Sequence, residues 1–300
     1  MSGTIATSTA VDLSRLPPPD MVEPLNYEVI LQQLKDDLAL RLPEFDGWQE
    51  SDPAMKLLEI AAYRELILRQ RVNDAGRSLL LAYATGGDLD QLGALFGVMR
   101  RELVPADPDS GTPAVLEADS DLRRRLLLAP DSYSVAGPEL AYVFHALSAD
   151  GDVLDASATS PSPGEVVVSV LSRIGDGSAS PELIEAVRLA VTADTVRPLT
   201  DAVTVQSATI TNFAITAELT LFPGPDPTLA LDTASQAVND TLTRLRRVGL
   251  DVPRSALIAA LHTGGVQKVN LISPAADVEV PATGAAHAHT ITVTLAGFEL

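Results

Sequence analysis

The chain has 300 residues, 46% of them hydrophobic, which is ample for a buried core and predicts two or three compact units. Forty acidic against 21 basic residues give a net charge of −19, a field that repels nucleic acid and anionic membrane surfaces and so argues against both as partners. The absence of cysteine removes disulfides, thiolate metal sites and cysteine nucleophiles, and the apolar runs fall far short of the roughly 20 residues that span a bilayer. The opening MSGTIATSTA has neither a basic n-region nor an apolar h-region, so the expectation is a soluble cytoplasmic chain. Aromatic residues are only 4% of the total, so the core must be built from Ala, Leu, Val and Ile.

Residues 1–25 are rich in Ser and Thr and then in proline at Pro17-Pro18-Pro19, a composition that suits a disordered tail or an extended arm ordered by a partner. Residues 26–100 read as helical. Tyr27, Ile30, Leu31, Leu34 and Leu38 recur at helical spacing until Pro43. Ser51-Asp52-Pro53 is a second start signal, with a capping side chain followed by proline at the first helical position. From there to residue 84 no proline intervenes. At 100° per residue, Leu57, Ala61, Leu68, Val72, Ala75 and Leu79 fall on one stripe, expected to pack within the chain or against its nearest partner helix. Leu66 and Leu80 lie well round the helix and are expected to meet a different neighbour. Gly86-Gly87 is the expected stop, and Asp88 the expected cap of a short helix carrying Leu89, Leu92, Leu95 and Phe96. These two seams define a candidate protein-protein interface of eight residues: Leu57, Ala61, Leu66, Leu68, Val72, Ala75, Leu79 and Leu80.

Pro105, Pro108, Gly111 and Pro113 mark residues 101–115 as a linker. Beyond it helix and strand signals alternate, giving an α+β expectation with a first region at 116–222 and a second at 223–300. Helices are predicted at 120–128 and 137–147, a strand pair at 152–159 and 165–171 around Ser160-Pro161-Ser162-Pro163-Gly164, and a helix at 181–193. Strands near 201–207 and 214–221 precede a helix running to about Arg247. A helix at 253–262, a strand at 266–272 and strands near Val278 and at 290–295 close the chain. A weak repeat relates VAGPELAYVFHAL to VPRSALIAALHTG, each followed by a strand and a Ser-Pro turn, with His145 and His262 in matching places.

Chemistry-bearing constellations are not found. His145 and His262 lie on apolar helices, and His287-Ala288-His289 sits in a small-residue turn with no third ligand at metal spacing. There is no H-E-x-x-H, G-x-S-x-G or Walker A pattern, and no cofactor is implied. Asp150-Gly151-Asp152 and Gly175-Asp176-Gly177 read as turns. Arg123-Arg124-Arg125, flanked by Glu117, Asp119 and Asp121, reads as a solvated helix face.

One long run, ESDPAMKLLEIAAYRELILRQRVNDAGRSLLLAYATGGDLDQLGALFGVMR, resembles the baseplate assembly protein J family of contractile-tailed phages and of phage-derived tail particles such as R-type tailocins. So do DLSRLPPPDMVEPLNYEVIL, VAGPELAYVFHALSADGDVLDASATSPSPGEVVVSVLS, VRPLTDAVTVQSA, LFPGPDP and RSALIAALHTGGVQKVNLISPAADVEV, in the family's order along nearly the whole chain. The resemblance implies a structural wedge component, not an enzyme. It implies as partners a baseplate protein I-like wedge protein, a lysozyme-like-fold wedge component, further copies of the chain, and indirectly the central hub and its spike. It also implies a sixfold ring, N-terminal helices in a shared bundle, and C-terminal regions that link neighbouring wedges. The place of action would be the host cytoplasm during assembly and then the baseplate. Two other readings stay open at this level: an assembly chaperone that leaves the finished particle, and a tail-associated hydrolase built from scattered carboxylates.

Overall fold

Asn26 starts the first helix by accepting a hydrogen bond from the Val29 amide (3.2 Å), one of the amide groups that a helix start cannot satisfy internally. This helix, α1, spans Tyr27–Arg41 and ends before Pro43. The computed structural model describes residues 24–46, 48–134, 137–224 and 226–299; the tail-or-arm expectation for the N-terminus falls almost wholly outside them. The described residues divide into two compact units that meet in sequence at Met99 and Arg100.

In the first unit, Asp52 caps α2 (Pro53–Ser78) through the Ala54 amide at 2.8 Å, with Pro53 in the first turn. Ile30, Leu31 and Ala62 form the buried contact between the two helices, with Tyr27, Leu34, Leu58 and Leu66 closing round it. The helix is shorter than its apolar pattern suggests. Ser78 donates its hydroxyl to the Ala75 carbonyl (3.0 Å), and the chain turns through Leu80, whose carbonyl accepts from Tyr83 and Ala84. Gly86-Gly87 does not stop this helix; it opens the next one, α3 (Gly86–Leu95), with Gly86 at φ +51°. Asp88 is inside the first turn of α3, where its charge complements the helix dipole, and Thr85 occupies the cap position.

The second unit begins with a ribbon where a bare linker was expected. Strands β1 (Glu102–Val104) and β2 (Val115–Leu116) pair antiparallel. Helix α4 (Asp119–Leu128) and a 3-10 turn (Ala129–Tyr133) lead to α5 (Glu139–Leu147). Strands β3 (Val153–Thr159) and β4 (Glu165–Ser172) make a hairpin. After α6 (Pro181–Val191), β5 (Ala202–Ser207) returns parallel to β4, giving the order β3-β4-β5. Tyr142, Val143, Ala146, Leu183 and Val187 from the helices bury Ala156, Ala158, Val168 and Val170 of the sheet.

A second sheet follows. Strand β6 (Thr209–Leu221) is its centre, helices α7 (Pro227–Leu245) and α8 (Arg254–Leu261) come next, and β7 (Val266–Ser273) and β8 (Gly284–Phe298) flank it in the order β7-β6-β8. β7 is antiparallel to β6 and β8 is parallel. Phe213, Ile215, Leu219 and Leu221 alternate into a core shared with Ala234 and Val238 of α7 and Leu257 and Leu261 of α8. Because β6 precedes residue 223 while β7 and β8 follow it, this sheet draws on both sides of that point. Leu171, Ala208, Val248 and Ala285 join the two sheets' cores.

The repeat holds only for helix-then-strand. β3 turns back into β4, whereas β7 pairs with β6, and Val278 makes an isolated bridge to Val252 in place of a hairpin strand. His287 and His289 lie within β8 and not in a turn. The mixture of helices with small sheets is an α+β architecture.

Candidate functional site: an exposed helix face and a buried ion-pair cluster

The eight interface candidates on and just after α2 separate according to which side of the helix faces α1. Leu66 packs on α1 beside Leu58 and Ala62. Among the described residues the stripe finds no packing partner: Leu57 (67% exposed), Leu68 (60%), Val72 (60%) and Leu79 (74%) are open, as are Ala61 and Ala75. Leu80 is half-buried. Of the two residues set aside for another neighbour, Leu66 forms the contact with α1, and the main stripe faces outward, where only the partner-helix alternative of its expectation applies. The reason is volume: Ala62 is the small residue between Leu58 and Leu66, and it lets α1 approach closely enough to bury Ile30 and Leu31.

Ile60, Ile67 and Tyr63 are also exposed, so the open face of α2 is broad as well as apolar. Its margins are charged, with Lys56 paired to Glu59 at 3.0 Å and Arg69 held by Glu65 one turn before it. An apolar centre with a polar rim is the anatomy of a protein-protein contact.

The arginine run Arg123-Arg124-Arg125 on α4 is not a solvated face. Arg125 is buried and held by Glu117 through two hydrogen bonds of 2.8 and 2.6 Å. Arg124 reaches Asp155 of β3 at 2.6 Å, and Asp155 also accepts from the amides of Ala156 (2.7 Å) and Val248 (2.9 Å). Asp121 accepts from Arg173 at 2.8 Å and faces Arg247 at 3.5 Å, while Arg247 donates to the Leu154 carbonyl at 3.1 Å. Burial pushes the Arg247 pKa down, and the neighbouring Arg124 adds to this, with Asp155 and Asp121 opposing. The partners lie far away in sequence, so a charge run read locally gives no hint of them. A cavity of about 240 Å³ beside this cluster is lined by Leu127, Leu128, Leu140 and Val143 together with Arg124, Asp155 and Arg247. Its polar groups already satisfy one another, which makes it a structural joint between α4, α5, β3 and the segment after α7.

The two turn readings fit their surroundings: Asp150 accepts from the Asp152 amide (2.8 Å) and Asp176 from the Ser178 amide (2.9 Å). His145 is half-buried on α5, edge-on to Phe144, and burial holds its pKa below the ordinary histidine value. His262 sits at the C-terminal cap of α8. Burial and the adjacent Arg246 push the His287 pKa down. Among the described residues no three His, Asp or Glu side chains come together as a metal-ligand group, and no helix is long and apolar enough to cross a membrane.

Comparison with known proteins matches the chain segment by segment. Residues 50–107 match the baseplate J-like N-terminal domain, 134–207 the baseplate J-like central domain, and 213–294 the baseplate J-like protein C-terminal domain. The chain is also 45% identical over 296 residues to baseplate protein J of Escherichia phage P2, covering 96% of this chain and 98% of that protein. The central match ends with β5 and the C-terminal match takes in most of β6, all of β7 and most of β8, so the matched segments follow the two sheets. With three matched segments in order and a near full-length relative, the chain belongs to the baseplate protein J family.

Proposed function

We propose that this protein is a structural component of a contractile-tail baseplate, in which the helical unit docks on partner helices and the sheet-bearing unit connects copies of the chain. The observation that carries the reading is the open face of α2. A helix whose opposite side is already packed leaves Leu57, Ile60, Ile67, Leu68 and Val72 in water, a patch that a chain working alone would keep polar. The near full-length likeness to baseplate protein J of phage P2 supports a baseplate as the assembly that covers it.

In this reading the wedge is held together by a helical bundle of α2 with helices of a smaller baseplate protein I-like partner and of a further copy of the chain, a lysozyme-like-fold wedge component associates with it, and wedges close into a sixfold ring round the hub and spike. Obligate contacts of that kind bury roughly 2,000 Å² or more and resemble a core cut in half. Residues 26–100 serve the bundle, and the regions 116–222 and 223–300 supply the scaffold and the contact between wedges. The protein acts in the bacterial cytoplasm while particles assemble and thereafter in the baseplate.

Purification of contracted and uncontracted particles, followed by quantitative mass spectrometry and cryo-electron microscopy, tests this directly. The expectation is a fixed stoichiometry of the chain in the finished particle, with α2 covered by other helices. A chain required for assembly but missing from the finished particle is an assembly chaperone, and that result overturns the proposal.

A further inference from the structure

The two edges of the C-terminal sheet are guarded differently. β7 is eight residues long, carries Lys268 near its middle and is followed at once by Pro274, devices that discourage a further strand. β8 is 15 residues long and holds no Asp, Glu, Lys, Arg or Pro from Gly284 to Phe298. It is also the outermost strand on its side of the sheet.

The ladder shows which of its backbone groups face outward. In a parallel pair, one residue of each register position turns both its N–H and C=O to the neighbouring strand and the other turns away. Thr209 donates its amide to the Thr283 carbonyl (3.1 Å), and at the far end the Glu299 amide donates to the Leu221 carbonyl (3.0 Å), so the odd-numbered residues of β6 face β8. Their register partners Ile291, Val293 and Leu295, opposite Ile215, Ala217 and Leu219, therefore turn their backbone groups outward. The same rule turns Gly284 outward, and there the chain itself supplies a partner, because the Gly284 carbonyl accepts from the Gly249 amide at 2.7 Å. From Ile291 onward no described residue pairs with the outer side of the strand.

We propose that this edge pairs with the same edge of a second copy of the chain, antiparallel across a two-fold axis at Val293, to make one continuous six-stranded sheet. Two observations favour a second copy as the occupant. Two chains of charge −19 repel each other over most of their surfaces, and β8 offers a stretch where they can meet without bringing carboxylates together. The stretch is also self-complementary. Register shifts fall between Ala288 and Thr290 and between Leu295 and Gly297, and the regular segment they enclose has its outward residues Ile291, Val293 and Leu295 symmetric about Val293. Antiparallel pairing then sets Val293 against itself, exchanging two hydrogen bonds, and Ile291 against Leu295. Thr292 meets Thr294 on the open face of the sheet, a favourable cross-strand pair. Such an isologous contact is closed by its own symmetry. It also answers the edge-strand liability that an uncovered β8 presents. The inference deepens the assembly reading, on which it rests, by naming the two surfaces that would connect copies.

The absence of cysteine gives a clean test. Thr292→Cys and Thr294→Cys are made separately in the full chain, and each is oxidised alone and as an equimolar mixture. The residue pair is of the closer, non-hydrogen-bonded kind, with Cβ atoms about 4.5–5.5 Å apart, which is near the reach of a disulfide. The mixture is expected to give at least tenfold more disulfide-linked dimer than either variant alone, with a 292–294 linkage in the peptide map. Leu295→Pro, which removes one outward N–H and no bond to β6, is expected to lower that yield at least tenfold with an unchanged circular dichroism spectrum. No dimer from the mixture, or equal yields from the single variants, overturns the proposal. So does pairing of this edge with a different protein. Crosslink failure with the chain still present in purified particles rejects only this contact, whereas absence of the chain from particles rejects the assembly reading itself.

Discussion

Arg125 and Glu117 hold each other in a bidentate pair with 6% and 3% of their side chains exposed, although the sequence presents both within one charged run. Glu117 also accepts from the Arg101 amide (3.1 Å), and Ser148 stands 3.4 Å from Arg125, so the pair fixes the entry of the second unit to α4. Removing one member of a buried pair leaves the other as an uncompensated charge, at a cost of about 3–5 kcal/mol. Glu117→Ala is therefore expected to lower the denaturant midpoint sharply, while the double change Glu117→Leu with Arg125→Met recovers most of the loss. Urea unfolding of the full chain measures both; equal damage from the single and double changes contradicts the pairing argument.

The open face of α2 makes opposite predictions for neighbouring positions. Leu68→Asp places a charge where water already is, so the isolated chain should melt within about 0.5 kcal/mol of the wild type, yet particles should fail to assemble. Ala62→Asp puts a charge into the contact with Ile30 and Leu31 and should instead melt the α1–α2 pair. Thermal melts together with particle counts by electron microscopy separate the two outcomes. Normal incorporation of the Leu68→Asp chain would show that this face is not an assembly surface.

Asp226 caps α7 by accepting from the Thr228 amide at 2.9 Å, and α7 covers the C-terminal sheet through Ala230, Ala234 and Val238. Loss of such a cap costs about 1 kcal/mol. Asp226→Ala should show that loss and Asp226→Ser should restore most of it, read as shifts in the urea midpoint with an unchanged slope.

Acid sensitivity follows from His145. Burial depresses its folded-state pKa, with the backbone contact at Ser132 opposing. As pH falls through the ordinary histidine value of about 6.5, the unfolded chain takes up the proton first, so this residue's share of stability is present above that pH and lost on acidification. The loss levels off once pH is below the folded-state pKa. His145→Gln should therefore flatten the stability profile on the acid side of neutrality relative to the wild type. Parallel profiles for the two proteins between pH 7 and 5 would show that His145 does not carry the effect.

Gly284 starts β8 where the strand is pinned most tightly. A Cβ there would lie 2.9 Å from the Thr209 carbonyl and 2.8 Å from the Pro281 ring, and the first of these is backbone that cannot swing aside. Gly284→Ala should destabilise the second unit by about 1–3 kcal/mol, the range for forcing extra volume into a packed site. Hydrogen exchange should place the loss of protection in β6 and β8 before β3 and β4. Uniform loss across both sheets would mean that they unfold as one.

Local chemistry decided a good deal by itself. The cap at Asp52 and the alternation of helix and strand after residue 115 follow from short-range rules about amide satisfaction and side-chain periodicity, which need no knowledge of the rest of the chain. The long family-like segments were equally visible, because a resemblance is a property of sequence order. Tertiary structure decided what depends on distant partners. Helical periodicity shows that α2 has several apolar seams but cannot choose among them, and the choice fell to Leu58, Ala62 and Leu66 because α1 presents Ile30 and Leu31 there. Arg124 turns inward because Asp155 waits on β3, 31 residues later. The crossover that puts β8 parallel to β6, and so leaves its far side as the sheet's outer edge, is likewise a matter of topology, since a strand's own pattern says how it is pleated and not which neighbour it will find.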